Sequence, residues 1–197
     1  MVIVVTGFGP FGECTVNASW EAVKGLPEIW NDLENMLIIE EIPVEYEFIQ
    51  KNVPEKWKDK MPDFVVHVGV KRQAKSLTLE VLAHNDGYQA PDVMSCYPHG
   101  HCCIPGGPDS LKSCLDLPQL CENVNQTCSE TGVGVDACLS ENAGRYLCEF
   151  IYYKSLHTMQ GNSLFIHVPP LDQPYSVLQL SEALRIVIKN IIKQIKH

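Results

Sequence analysis

Short apolar runs are the feature of this sequence that most restricts its fold. Residues 2–5, 64–69 and 163–168 are rich in β-branched and aromatic side chains, and Met36–Ile42 is a fourth run of this kind. A strand that is apolar on both faces must be covered on both, which is typical of central strands in parallel or mixed sheets. Between the runs, apolar residues recur at helical spacing, and a strand–helix–strand order implies right-handed crossover connections over one shared sheet. The sequence therefore predicts an α/β fold with a mixed, mostly parallel sheet between helices.

The length and composition are consistent with one globular domain. The chain has 197 residues, of which 45% are hydrophobic and 20% charged, a balance typical of globular proteins. No apolar run approaches the length of a membrane span. Because no repeat, low-complexity segment or linker divides the sequence, we expect a single domain over residues 1–197.

The net charge and the cysteines restrict the partners and the compartment. Twenty-four acidic and fifteen basic residues give a formal charge of −9, which repels nucleic acid and anionic membranes. The chain enters a strand at once without the basic segment of a secretory signal, so we expect a cytosolic protein. There the nine cysteines remain thiols and the sequons at Asn17 and Asn125 have no role. A secreted protein would reverse both conclusions.

The loop after the first strand, GFGPFG at residues 7–12, allows several interpretations. Gly7, Gly9 and Gly12 match the GxGxxG pattern of dinucleotide-binding loops. However, residues 13–17 show no helical periodicity, and Glu40 and Glu41 come too late to be the acidic partner that this motif needs about 20 positions further on. Phe8 and Phe11 fit better an apolar slot for a flat, uncharged group, or they anchor the loop in the core.

Residues 133–156 predict a strand, a polar turn and a helix, with Cys148 in the first turn of the helix. The strand signal covers residues 133–139, and Phe150, Ile151 and Leu156 are spaced like one face of a helix. Near a helix start, the backbone N–H groups and the dipole favour a thiolate and can hold a developing oxyanion. The same pattern is also consistent with a cysteine buried in the core.

Two further side chains could complete a cysteine-protease type of site. Glu80 lies on the polar face of an alternating run at residues 76–82, and His167 lies near the end of the last predicted strand, where α/β active sites collect. Such a site needs a thiolate, a histidine that carries the proton and an acceptor that orients the ring. Taken singly, the carboxylate could simply be solvated and the histidine could be a core residue.

Regular periodicity stops over residues 83–109, and a loop of that length is usually functional or mobile. It contains a cluster of potential metal ligands, namely Cys96, His99, His101, Cys102 and Cys103. Adjacent Cys102 and Cys103 cannot readily chelate one ion together, and no second ligand pair follows at zinc-ribbon spacing. We therefore predict no metal site, while a metal-binding or redox thiol protein remains an alternative.

Taken together, these motifs resemble pyroglutamyl peptidase I, a family of cytosolic cysteine peptidases, with animal forms the most similar. The matching segments follow the family's order and cover nearly the whole chain: VVTGFGPFGE with VNASW, EIPVEY, VVHVGV, TLE with HN and GY, AGRYLC with YY, and HVPPL. Two features depart from the animal pattern. They are residues 92–108 and Glu149, which stands where aspartate is usual.

The resemblance implies a single three-layer α/β/α sandwich and a cysteine omega-peptidase that removes an N-terminal pyroglutamyl residue without a cofactor. It assigns the nucleophile to Cys148, the general base to His167, the orienting carboxylate to Glu80, and ring binding to Phe8 and Phe11. The expected partners are small pyroglutamyl-initiated peptides, with no nucleic acid and no membrane, and we favour a monomer over a homo-oligomer. The alternatives are a nucleotide-binding protein that uses residues 7–12, or the metal-binding or redox thiol protein.

Overall fold

The computed structural model describes residues 1–12 and 15–196. Six strands form a central sheet in the order β2-β1-β3-β8-β4-β7, and two more form a separate ribbon, β5-β6. The strands are β1 (Val2–Phe8), β2 (Met36–Ile42), β3 (Phe64–Val70), β4 (Leu77–Glu80), β5 (Leu82–His84), β6 (Ser110–Lys112), β7 (Ala137–Ser140) and β8 (Ser163–Val168).

Helices cover both faces of the sheet and bury its apolar side chains in two separate cores. The helices are α1 (Ala18–Lys24), α2 (Leu26–Ile29), α3 (Tyr46–Lys60), α4 (Leu117–Glu130), α5 (Leu147–Thr158) and α6 (Val177–Lys196). The α3 and α5 helices share one core, and α1, α4 and α6 share the other. The predicted three-layer α/β/α sandwich is confirmed. None of the described helices combines the length and the apolar character needed to cross a membrane.

One reversal of strand direction matters most for the site. The β1, β2, β3 and β8 strands are parallel to one another. The β4 strand runs antiparallel to β8, and β7 is parallel to β4. In this register Thr78 lies opposite His167, and Glu80 lies opposite Phe165. Directly opposed residues point to the same face of a sheet, and so do residues two positions apart. Glu80 and His167 therefore share the face that α5 covers.

Two predicted strands differ from the structure. The run predicted at residues 133–139 becomes a strand only at Ala137, because Gly132 and Gly134 take positive φ angles of 73° and 66°, which interrupt extended pairing. The run predicted at residues 76–82 is divided, since β4 pairs with β8 and β7 while β5 leaves the sheet to pair with β6. The first part still presents Glu80 as the alternation predicted.

Candidate active site

Cys148 is the second residue of α5, and its thiol lies directly over the backbone of β3. A Cβ atom placed on Gly69 would stand 2.8 Å from Cys148 Sγ and 2.7 Å from Phe165 Cζ. Contacts that short do not occur, so only glycine leaves room for the sulfur at this point. The predicted position of Cys148 in the first turn of the helix is confirmed.

The register of β3 and β8 brings the thiol next to His167. Gly69 pairs with His167, and neighbouring strands lie about 4.8 Å apart, so the sulfur above Gly69 faces the imidazole on the next strand. The ring of Phe165 packs against that imidazole with centroids 4.8 Å apart. The hydrogen bonds found within residues 1–12 and 15–196 include none between Cys148 Sγ and His167.

The other side of the imidazole is fixed by Glu80. His167 Nδ1 lies 2.7 Å from Glu80 Oε1, and the two residues are 4% and 0% exposed. Lys71 Nζ approaches the same oxygen at 3.8 Å. The hydroxyl of Tyr152 on α5 donates to the backbone carbonyl of Glu80 at 2.9 Å. This geometry holds the imidazole so that Nε2 is the nitrogen left for a reacting group.

The thiol itself is not poised as a thiolate. Burial, and after it the negative charge of Glu80, raise the pKa of Cys148 to about 12 against a smaller lowering by the backbone N–H of Cys148. The sequence predicted that the helix start would favour the thiolate. In the structure, desolvation and a nearby carboxylate outweigh the helix start, so the resting group is a thiol.

A buried carboxylate shapes the turn that leads into Cys148. Glu149 is fully buried and accepts hydrogen bonds from Arg145 N at 2.7 Å, Arg145 Nη1 at 2.9 Å, His84 N at 2.9 Å and His84 Nδ1 at 2.8 Å. Burial alone would raise the pKa of Glu149, but these donors lower it below its ordinary value. They hold Arg145 at a positive φ of 51°, one residue before the helix cap Tyr146.

This role of Glu149 was missed from the sequence, where it was noted only as a departure from the animal pattern. A signal was present, because Glu149 is the third residue of α5, the position where a glutamate reaches back to donors before the helix.

A small cavity of about 70 Å³ opens beside the thiol. Its walls include Cys148, the two loop phenylalanines Phe8 and Phe11, and Val70. Asn17 forms one side of the cavity. Its side-chain amide is hydrogen-bonded within the protein at both ends, because Nδ2 donates to Gly9 O at 2.9 Å and Oδ1 accepts from Ser19 N at 3.1 Å. The structure thus places both predicted slot residues next to the predicted nucleophile.

The glycine pattern of the same loop has a packing explanation. A Cβ atom on Gly7 would lie 2.7 Å from Trp20 Cα, so this glycine allows β1 to pack tightly on α1. The start of α1 is capped by Asn17, and Phe8 N donates to Ser19 Oγ at 3.1 Å. The helix start where a dinucleotide motif would hold its phosphates is therefore already capped by side chains of this chain.

The cysteine-rich loop packs against the start of α3. Asp92 accepts from Tyr46 N at the start of α3, and from Met94 N and Cys96 N, each at 2.9 Å. Within residues 1–12 and 15–196, no three His, Cys, Asp or Glu side chains lie close enough to hold a metal ion. The eight cysteines in this part of the chain are free thiols. A cavity of about 320 Å³ lies under the loop, and Cys148, His167 and Glu80 are not among the residues that line it.

Comparison with known proteins gives one consistent family. The chain matches the family model described as pyroglutamyl peptidase over residues 1–194. It is 45% identical over 190 residues to human pyroglutamyl-peptidase 1, covering 96% of this chain and 89% of that protein. The crystal structure of pyroglutamyl peptidase I from Bacillus amyloliquefaciens is 26% identical, with a TM-score of 0.81, and covers 100% of this chain and 97% of its own. A mutant pyrrolidone carboxyl peptidase from Pyrococcus furiosus shares the fold, with a TM-score of 0.88 at 23% identity and coverage of 99% and 100%.

Proposed function

The chain belongs to the pyroglutamyl peptidase family, a family of cysteine peptidases, and from that premise we propose that it hydrolyses the N-terminal pyroglutamyl residue from peptides. One observation carries the proposal. The Cys148 thiol lies over Gly69 beside His167, whose Nδ1 is 2.7 Å from Glu80 Oε1. Sulfur, imidazole and carboxylate in this order are the parts of a cysteine-protease type of site.

In the first half of the reaction, His167 Nε2 takes the proton of the Cys148 thiol as the sulfur attacks the pyroglutamyl carbonyl carbon. Concerted transfer suits a thiol whose pKa is raised to about 12, because little free thiolate is present at neutral pH. The backbone N–H groups in the first turn of α5 have no partner within the helix and face the developing oxyanion. His167 then returns its proton to the leaving amine, the C–N bond breaks, and a thioester remains on Cys148.

In the second half, water replaces the departed peptide. His167 Nε2 removes a proton from this water as its oxygen attacks the thioester carbonyl, and the proton then passes to the departing sulfur. The products are free pyroglutamate and the restored thiol. Glu80 keeps the same ring orientation in both halves, since Nδ1 stays bonded to it while Nε2 exchanges the proton.

The slot accounts for the choice of a pyroglutamyl group. This residue ends in a neutral lactam without an ammonium group, so apolar contacts and hydrogen bonds must recognise it, not an acidic side chain. Phe8 and Phe11 supply the flat walls beside Cys148, and backbone groups of the loop supply the polar partners of the lactam. A prolyl residue would leave those partners unpaired, so discrimination on the order of 10⁴ is expected.

For setting and partners, we propose that the protein acts in the cytosol, as a monomer, on small pyroglutamyl peptides and without a cofactor. The eight cysteines in the described part of the chain are free thiols. Cys148 must stay reduced in order to react, and a reducing compartment keeps it so. The formal charge of −9 disfavours nucleic acid and anionic membranes as partners.

The test is turnover of a fluorogenic pyroglutamyl amide by the purified protein, with and without a thiol alkylator. We expect turnover that alkylation abolishes and that Cys148→Ala and His167→Ala both lack while still unfolding cooperatively as folded proteins. Cys138→Ala, which removes an exposed thiol from β7, is the matched control and should stay active. Activity that survives in Cys148→Ala would overturn the proposal.

A further inference from the structure

A second cavity, of about 330 Å³, adjoins the slot and is not used by the reaction described above. The two cavities share three lining residues, Phe11, Asn17 and Val70. The two cavities therefore lie side by side. With the slot filled by the pyroglutamyl ring, the larger space is available for whatever is attached to it.

The second cavity lies beside the chain that follows His167. Its far wall is formed by Pro170 and Leu171, which follow β8 directly and stand three and four residues after His167. Val70, in the shared wall, pairs with Val168 at the end of the same strand. Because His167 gives its proton to the leaving amine, the peptide chain beyond that amine begins close to this wall.

The lining of the cavity combines apolar surface with one cation. Leu171 is half-buried and Val16 is 56% exposed, so both present apolar surface to a ligand. The exposed guanidinium of Arg72 also lines the cavity, and it makes no salt bridge to a carboxylate of residues 1–12 or 15–196. Lys71 and Lys75 lie on the same segment, which makes this edge basic in a chain whose formal charge is −9.

We propose that this cavity, the leaving-peptide subsite, binds the two residues that follow pyroglutamyl. The side chain of the first packs against Leu171, and a carboxylate on the second pairs with Arg72. The preferred substrates are then short pyroglutamyl peptides with a large apolar second residue and a free carboxylate at the third. This inference rests on the proposed function and extends it to the departing half of the substrate.

The test compares kcat/KM for three peptides: pyroglutamyl-leucyl-glycine, its C-terminal amide, and pyroglutamyl-glycyl-glycine. The wild type should prefer the free acid to the amide by about twofold to fivefold, the size of one exposed ion pair. It should prefer leucine to glycine by about tenfold, the size of a partly buried apolar side chain. Arg72→Gln should remove the first preference alone, and Leu171→Ala should reduce the second alone.

Lys75→Gln is the matched control, since it removes a cation from the same segment at a position that does not line the cavity. It should keep both preferences. If the wild type cleaves all three peptides but both ratios are unchanged in Arg72→Gln and Leu171→Ala, the subsite is wrong and the proposed function stands. If the wild type cleaves neither these peptides nor a fluorogenic pyroglutamyl amide, the proposed function itself fails, and the subsite with it.

Discussion

His167 Nδ1 lies 2.7 Å from Glu80 Oε1, and this contact between two antiparallel strands is almost completely closed to solvent. The other carboxylate oxygen, Oε2, is buried without a hydrogen-bond partner among the described residues. Among the described residues the carboxylate makes its one short polar contact with the imidazole, and Lys71 Nζ lies further away at 3.8 Å. Its role in orienting the imidazole can be tested by changing its charge and its hydrogen-bond acceptor separately.

Glu80→Gln and Glu80→Ala should differ in activity. Gln keeps an oxygen that can accept from Nδ1, so we expect kcat/KM to fall less in Glu80→Gln than in Glu80→Ala, which leaves the ring free; loss of the orienting acid of a triad costs on the order of 10⁴-fold. The measurement is turnover of a fluorogenic pyroglutamyl amide, with melting temperatures as the check on folding. Equal losses in the two variants would show that the acceptor does not matter.

The reactivity of Cys148 toward iodoacetamide should rise with pH without a plateau below about pH 9. Burial and Glu80 raise the pKa of the thiol to about 12, above the 8.5 or so of free cysteine. The thiolate fraction therefore grows tenfold per pH unit across the neutral range. Mass spectrometry of the peptide that carries Cys148 separates this thiol from the others. A plateau between pH 6 and 7 would instead reveal a resting thiolate paired with a protonated histidine.

Gly69→Ala should lower activity more than stability alone explains. The new Cβ atom would meet Cys148 Sγ at 2.8 Å and Phe165 Cζ at 2.7 Å, which displaces the thiol. A displacement of about 1 Å costs on the order of 10²-fold in rate, and overpacking costs about 1–3 kcal/mol of unfolding free energy.

The matched control for this change is Gly25→Ala. There the new atom meets Ser181 Oγ at 2.7 Å, on the opposite face of the sheet. This variant should lose stability but keep its turnover per folded molecule. If Gly69→Ala keeps wild-type turnover, the thiol does not lie where the structure has it.

Glu149→Gln should destabilise the fold and change its response to acid. An amide cannot accept from all the donors of Arg145 and His84 that the carboxylate serves, and losing one partner of a buried ion pair costs about 3 kcal/mol or more. Because the pKa of Glu149 is lowered in the folded state, its stabilisation is present above the unfolded pKa, about 4.3. It is lost as pH falls through the lower folded value.

The measurement is thermal unfolding of the wild type, Glu149→Gln and Glu149→Asp between pH 3 and 7. The difference between the wild type and Glu149→Gln should shrink below about pH 4.3. Glu149→Asp keeps the charge and should be the milder change at neutral pH. A stability difference that does not depend on pH would contradict this role for the carboxylate.

The sequence allowed much of this structure to be predicted, because much of it depends on local pattern. The β2 and β8 strands were predicted at their observed bounds, and the family and the α/β/α architecture are confirmed. Short apolar runs and helical spacing encode these features directly. The catalytic roles of Cys148, His167 and Glu80 stay predictions, although the structure brings the three side chains together.

Features that depend on distant parts of the chain were not visible in the sequence. The reversal of β4 is what brings Glu80 diagonally across from His167, 87 positions away, and no local pattern encodes it. The raised pKa of Cys148 follows from burial and from that same carboxylate, so a prediction from the helix start alone gave the wrong direction. The need for glycine at position 69 arises from a sulfur 79 positions later in the chain.

The central claim is that Cys148 carries the pyroglutamyl group during turnover. The direct measurement is acid quenching of a reaction with a pyroglutamyl thioester or activated ester, followed by digestion and mass spectrometry of every cysteine-containing peptide. We predict one adduct, with the mass of a pyroglutamyl acyl group, on Cys148 in the wild type and none in Cys148→Ala. An adduct on another residue, or turnover that continues in Cys148→Ala, would contradict the account.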